Sequence, residues 1–135
     1  VRELHDLLAL RARVFVVEQA CIYLDVDGRD PIAHHVLGFE DDVLVAYARV
    51  LPAGTRFDVP AIGRVVVAPE VRGRGLARAL MHEAIEAARA LHGEVPLALA
   101  AQAHLEGFYA SLGFVREGDA YDEDGIPHVD MRRPV

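Results

Sequence analysis

The stretch with the clearest chemical capacity is Val65-Val66-Val67-Ala68-Pro69-Glu70-Val71-Arg72-Gly73-Arg74-Gly75-Leu76-Ala77. A β-branched run meets a Pro-Glu turn, then a glycine loop, then residues with helical periodicity. A strand that passes through such a loop into a helix start is suited to phosphate. The first helical N–H groups have no acceptor within the helix, and the helix dipole adds roughly half a positive charge there. Gly73 and Gly75 let the backbone approach a ligand that a Cβ would push away, and Arg72 and Arg74 add side-chain charge. Two other phosphate-binding patterns fail here. A P-loop requires Gly-Lys-Ser/Thr, which is missing from this loop. A dinucleotide fingerprint requires its glycines after the first strand of a parallel unit, whereas here hairpin strands precede them.

The remaining reactive residue types carry less. Cys21 is the only cysteine, so no internal disulfide can form and a reducing cytoplasm is the compartment it points to. Its apolar surroundings read as core packing rather than as a nucleophile's site. His34, His35, His104 and His128 show no ligand spacing of the H-x-x-x-H kind, and no metal is expected.

The elements that must position the loop follow from periodicity. Glu3 to Val17 reads as a helix with Leu4, Leu7, Leu8, Ala12 and Phe15 on one face. Asp25 to Pro31 is loop chemistry. His34–Phe39 and Leu44–Leu51 flank the acidic turn Glu40-Asp41-Asp42 and predict an antiparallel hairpin. Ala61–Ala68 is nearly continuous β-branched sequence, as in a strand buried on both faces. Residues 74–91 form the clearest helix, with Ala77, Leu80, Met81, Ala84, Ile85, Ala88 and Leu91 on one stripe and Gly93 at its end. A strand over Val95–Ala101, a short helix over Leu105–Leu112 and a strand beginning at Phe114 follow. Glu117 to Asp124 reads as an acidic loop, and His128–Arg132 as the last strand.

At 135 residues the chain is expected to form one domain. No apolar run approaches the ~18 residues of a membrane span. The net charge of −7 disfavours nucleic acid as a partner and suits a cationic one, such as an amine.

Arg72-Gly73-Arg74-Gly75-Leu76-Ala77 fits a Gln/Arg-x-x-Gly-x-Gly/Ala loop after a valine-rich strand. Gln102, Phe108-Tyr109 and Leu112-Gly113-Phe114 follow at the spacing of a second motif, Asn…Tyr…Gly-Phe. In both motifs, in this order, the chain resembles the GNAT acyltransferase superfamily. Arg13-Val14-Phe15-Val16-Val17-Glu18-Gln19 and Tyr121-Asp122-Glu123-Asp124-Gly125-Ile126-Pro127-His128 resemble its ElaA-type subgroup. Three departures stand out: Gln102 replaces the commoner Asn, Leu105 replaces a small Ala, and the fold's first strand should precede Glu3, where this chain opens. The resemblance implies an α/β fold of the α+β type, with a mixed central sheet of about six to seven strands flanked by helices.

It also implies the chemistry. The cosubstrate would be acetyl-CoA, its pyrophosphate held by the backbone of Arg72, Gly73, Arg74, Gly75, Leu76 and Ala77, with Gln102 alongside. Val65, Val66 and Val67 would pair with the pantetheine arm as an added strand does, across a splay from Leu97–Ala101. The Val66 N–H would be the oxyanion donor, worth roughly 3–4 kcal/mol. Tyr109 would protonate the departing thiolate. A base must free the amine, and Glu18, closing an apolar run, is the first choice, with a carboxyl pKa raised by its surroundings. Asp27, His34 and His104 are further acceptor-side candidates. The implied activity is acetyl transfer to a primary amine of a small molecule or peptide, by direct attack in a ternary complex. Cys21 has no nearby base motif, which disfavours a ping-pong route. A non-catalytic acyl-CoA-binding or sensing module is the alternative, and a homodimer is one assembly open to it.

Overall fold

A computed structural model describes residues 1–135. Helix α1 (Arg2–Arg11) runs directly into a π-helical segment, Ala12–Glu18. The widened turn is visible in its bonds: Gln19 N–H reaches the Val14 carbonyl and Cys21 N–H the Val16 carbonyl, both five residues back at 3.1 Å. After a single 3₁₀ turn at Asp30–Ile32 come β1 (His34–Glu40), β2 (Val43–Leu51) and β3 (Ala61–Val67). Helix α2 (Leu76–His92), β4 (Leu97–Gln102), α3 (Glu106–Ala110), β5 (Val115–Glu123) and β6 (Ile126–Arg133) complete the chain.

The six strands form one mixed sheet in the order β1-β2-β3-β4-β6-β5. Every neighbouring pair is antiparallel except β3 and β4, which run parallel and register at one position, Ala61 opposite Ala98. Beyond it the two strands part. The cause lies in β3, where the register with β2 shifts between Tyr47↔Val66 and Arg49↔Gly63. Three steps of β3 therefore oppose two of β2, and the extra residue, Arg64, sits at φ +50°. A bulge of this kind bends its own strand and increases its twist, and here it turns β3 away from β4.

Side chains alternate between two cores. Leu80, Met81, Ala84, Ile85 and Ala88 of α2 pack on Ala46, Ala48, Val50, Leu99, Ala101, Val129 and Met131. On the opposite face Leu7, Leu10 and Val14 cover Val45, Tyr47 and Val66. The buried face of α1 is thus Leu7, Leu10 and Arg11, while Leu4 is half exposed, so the predicted stripe is rotated. Arg11 explains the rotation: its guanidinium is fully buried and needs the acids beneath it.

The acidic loop expected over Glu117–Asp124 is instead the body of the edge strand β5, with only Asp124 and Gly125 turning the chain. Ion pairs supply the reason. Arg132 of β6 meets Glu117 at 3.1 Å, and Arg56 meets Glu123 at 3.2 Å. Charged side chains also keep an edge strand from pairing with other chains.

Candidate active site

The α2 N-terminus is held by no side-chain cap. Gly75 stands at its N-cap with φ +76° and Gly73 just before it with φ +83°, a left-handed conformation that glycine adopts without strain. A Cβ on either would meet nothing within 4 Å, so the loop opens onto free space. The first α2 N–H groups point there without an internal acceptor. This geometry fits a pyrophosphate. The flanking arginines are held by acids: Arg72 forks onto Glu18 through Nη1 and Nη2 at 2.6 and 3.0 Å, and Arg74 Nη1 donates to both Glu40 oxygens at 3.0 and 3.2 Å. All four side chains are solvent-exposed, so each pair is worth at most about 1 kcal/mol and can yield to an incoming anion.

Ladder geometry decides which β3 groups face the gap. Ala68 N–H donates to the Val45 carbonyl at 2.7 Å. Hydrogen-bonded pairs alternate along an antiparallel ladder, so Tyr47–Val66 is the next such pair and the Val66 N–H is turned to β2. The expected assignment of Val66 as oxyanion donor is thereby corrected: on this register its N–H is directed at β2 rather than at the gap, and its side chain lies in the α1 core. The backbone groups of Val65 and Val67 are the ones that face β4, and the Val67 carbonyl accepts from Arg72 Nε at 3.1 Å.

The gap leads into a cleft of about 380 Å³ on the α1 side of the sheet. Phe15 of the π-helical segment and Gln19 just after it, Val65, Gln102, Tyr109 and His128 line it, together with Asp27 and Arg29. Tyr109 projects from α3, held edge-on by Phe108 and Phe114 at 5.1 and 6.2 Å between ring centres. Burial alone pushes its hydroxyl up to about 12. Arg49 Nε is the one fully buried side-chain nitrogen or oxygen without a partner. The Tyr109 hydroxyl, which has no protein partner either, therefore reaches the cleft. Gln102 donates from Nε2 to Gln19 Oε1 at 3.3 Å across the cleft wall.

Beneath the cleft lies a cluster of ions that the sequence did not reveal. Asp25 accepts from Arg11 Nε at 2.9 Å and Arg64 Nε at 2.8 Å. Asp30 accepts from Arg11 Nη1 at 2.8 Å and Arg49 Nη1 at 3.0 Å. Asp27 takes both Arg49 Nη groups, at 2.9 and 2.8 Å. Burial works to raise the Asp27 carboxyl, but the bonds from Arg49 and from the Arg29 N–H outweigh it and hold it far below the ordinary range. Asp27 thus lines the cleft as a committed carboxylate. Three arginines against three aspartates leave the cluster nearly neutral.

Glu18 is not where its proposed role needs it. It lies outside the cleft lining, and the Arg72 hydrogen bonds lower its carboxyl rather than raise it. Desolvation or a neighbouring negative charge would raise it, but this carboxylate is exposed and paired with a cation. His34, at the start of β1, and His104, in the 3₁₀ turn before α3, also lie outside the lining. His128 lies inside it: it stands opposite Gln102 in the β4–β6 register. Its signal in the sequence is the Tyr121–His128 block.

A six-stranded mixed sheet that splays open beside an uncapped, glycine-led helix leaves a strand edge and a set of helix N–H groups free for an extended, phosphate-bearing ligand. The sequence profile of the Acetyltransferase (GNAT) domain matches residues 11–134, and the chain belongs to this family. Protein ElaA of Escherichia coli K12 is 44% identical over 137 aligned positions, covering 100% of this chain and 90% of ElaA. The crystal structure of an acyl-CoA N-acyltransferase from Pseudomonas aeruginosa superposes with a TM-score of 0.91 at 44% identity, over 98% of this chain and 90% of that one. A GNAT acetyltransferase from Elizabethkingia anophelis, solved with acetyl-CoA bound, shares the fold at 15% identity and a TM-score of 0.65, over 82% and 81% of the two chains. The protein is an acyltransferase.

Proposed function

We propose that this protein transfers an acetyl group from acetyl-CoA to a primary amine by direct attack in a ternary complex. Balanced, the reaction takes R–NH₃⁺ and the acetyl thioester to R–NH–CO–CH₃, the free CoA thiol and one proton. The observation that carries this reading is the course of β3. Its edge is unpaired beyond Ala61–Ala98, its Val65 lines the cleft together with Tyr109, and the chain that leaves its end forms the glycine loop and the uncapped start of α2. Acetyl-CoA, when bound, supplies the activated acyl group; the chain's residues orient it and move protons.

The loop backbone holds the pyrophosphate, with Arg72 and Arg74 exchanging their carboxylates for it. Val65 and Val67 offer main-chain groups to the pantetheine arm as a sheet edge does to an added strand. The Val65 N–H, facing the gap and lining the cleft, polarises the carbonyl under attack. Tyr109 gives its proton to the leaving sulfur, and its oxygen recovers one from the nitrogen of the tetrahedral adduct, which becomes the neutral amide. A phenol held at about 12 is a weak acid toward a thiolate of pKa ~8.5, so the proton moves only as the C–S bond breaks. Cys21 donates its Sγ–H to the Asp124 carbonyl at 3.0 Å, which accounts for its conformation without a covalent intermediate.

The test is thiol release from acetyl-CoA across amines, amino acids, polyamines and peptides, with initial rates measured while both substrates vary. Intersecting double-reciprocal lines are expected; parallel lines would replace direct attack with a covalent enzyme intermediate.

A further inference from the structure

We infer that His128 is the general base for the acceptor amine, with Glu123 as the carboxylate that supports its protonated form; this rests on the acyl-transfer reading above. The argument starts from the tautomer. His128 Nδ1 lies 2.8 Å from the Ile126 carbonyl, and a carbonyl oxygen can only accept. Nδ1 therefore carries the hydrogen in the neutral ring, and Nε2 is left with its lone pair. Nε2 is the nitrogen next to Glu123, 3.4 Å from Oε2. The Tyr121 ring stacks on the imidazole at 6.2 Å and 27°, and Tyr121 is fixed in turn by its 2.6 Å bond to Asp130. The ring is thus fixed in tautomer and in plane, as a preorganised base must be.

Its position serves the reaction. Opposite Gln102 in register, His128 is on the same sheet face and lines the same cleft as Tyr109, so acid and base belong to one cavity. The charged and titratable groups around it are few. β5 contributes Glu123 and Tyr121, and β6 contributes Asp130 through Tyr121. Arg56 pairs with the other Glu123 oxygen at 3.2 Å; β4 presents the neutral Gln102, and α3 the neutral Tyr109. The step is a proton transfer: an N–H bond of R–NH₃⁺ breaks, a proton joins Nε2, and neutral R–NH₂ is released to attack while Glu123 faces the new imidazolium. Solvent then takes the proton from Nε2.

Two measurements on the full chain decide it. In protein labelled with ¹⁵N at histidine, two-bond ¹⁵N–¹H correlations, assigned with His128→Gln, are expected to show His128 with hydrogen on Nδ1 at alkaline pH. A ring carrying hydrogen on Nε2 would overturn the proposal whatever the acceptor. Thiol release is then compared on benzylamine, protonated at neutral pH, and on trifluoroethylamine, already neutral there. His128→Gln should lose about 10²–10⁴-fold on benzylamine and less than tenfold on trifluoroethylamine. Equal losses on both would reduce His128 to a structural role. If wild-type protein released no thiol with any amine of the panel, these two included, the transfer reading itself would fail and the base with it.

Discussion

Replacing Tyr109 with Phe separates the chemistry of this residue from its packing. The ring stays between Phe108 and Phe114, and the buried edge contacts at 5.1 and 6.2 Å are kept. The hydroxyl donates to no protein acceptor, so its removal breaks no internal bond, and unfolding free energy should change by no more than about 0.5 kcal/mol. Turnover should respond very differently. A positioned acid contributes about 10²–10⁴-fold, or roughly 3–5 kcal/mol of barrier, and all of it goes with the oxygen. A second signature follows from the raised pKa. An ordinary phenol would be half ionised near pH 10, but burial holds Tyr109 protonated up to about 12. The wild-type rate should therefore show no alkaline loss from Tyr109 between pH 8 and 10. The assay is thiol release at saturating acetyl-CoA, paired with calorimetric titration of CoA and urea unfolding. Full activity in Tyr109→Phe would remove the acid role. A rate loss matched by weaker CoA binding or a lower unfolding free energy would show that the ring, rather than its proton, had been disturbed.

Other outcomes follow from the same geometry. Gly75→Val forces a β-branched residue to φ +76° and fills the space above the loop, so CoA affinity by titration should fall at least tenfold, at a backbone cost of about 1–3 kcal/mol; unchanged affinity would displace the pyrophosphate site. Glu18→Gln should leave the pH–rate profile in place and alter KM for acetyl-CoA by only a few-fold, because the Glu18 carboxylate is bound to Arg72; a lost acidic limb would restore Glu18 as base. Alkali should unfold the protein in a defined window. Tyr47 and Tyr109 are buried, and burial raises each phenol from about 10 to about 12, so the neutral form is the one that the fold holds. Their contribution is intact below pH 10 and lost as pH rises toward 12, about 5 kcal/mol for the pair, measurable by urea unfolding at stepped pH. Arg11→Met should cost about 3–5 kcal/mol, since it leaves Asp25 and Asp30 short of a partner.

What was legible in the sequence was what depends on local pattern. Gly73 and Gly75 marked a helix start because only backbone freedom explains them there, and the α2 stripe and the β1–β2 hairpin follow from period alone. The Gln102–Tyr109 spacing placed both residues on one cavity wall. Features set by tertiary partners were hidden. Arg11 looks like a surface residue until Asp25 and Asp30, far along the chain, are seen beneath it. Glu18 looked desolvated because Val14–Val17 precede it, yet the π-helical turn carries Gln19 into the cleft and leaves Glu18 outside against Arg72. The Val66 assignment failed on parity: one inserted residue at Arg64 decides which backbone groups face β4, and nothing in a run of valines announces it. His128 was hidden similarly, because its merit as a base comes from a carbonyl two residues back and a carboxylate across a turn.

The ion cluster joins the two halves of the site. Arg64 is the bulged residue that turns β3 away from β4, and its guanidinium is anchored on Asp25, 2.8 Å from Nε. Asp25 is in turn gripped by Arg11 of α1, and Arg11 reaches Asp30, which Arg49 of β2 also holds. The bulge that frees the β3 edge for a donor is therefore locked by the ions that floor the acceptor cleft. A strained residue at positive φ persists only where its surroundings over-determine it, and here two aspartates and two further arginines do so. Buried ion pairs add little net stability over apolar packing but penalise any arrangement that separates them. The cluster is thus better understood as fixing one geometry than as strengthening the fold. Strand edge and cleft floor are tied to one another, so in the proposed reaction the thioester carbonyl and the amine would meet in a frame set by the same buried charges.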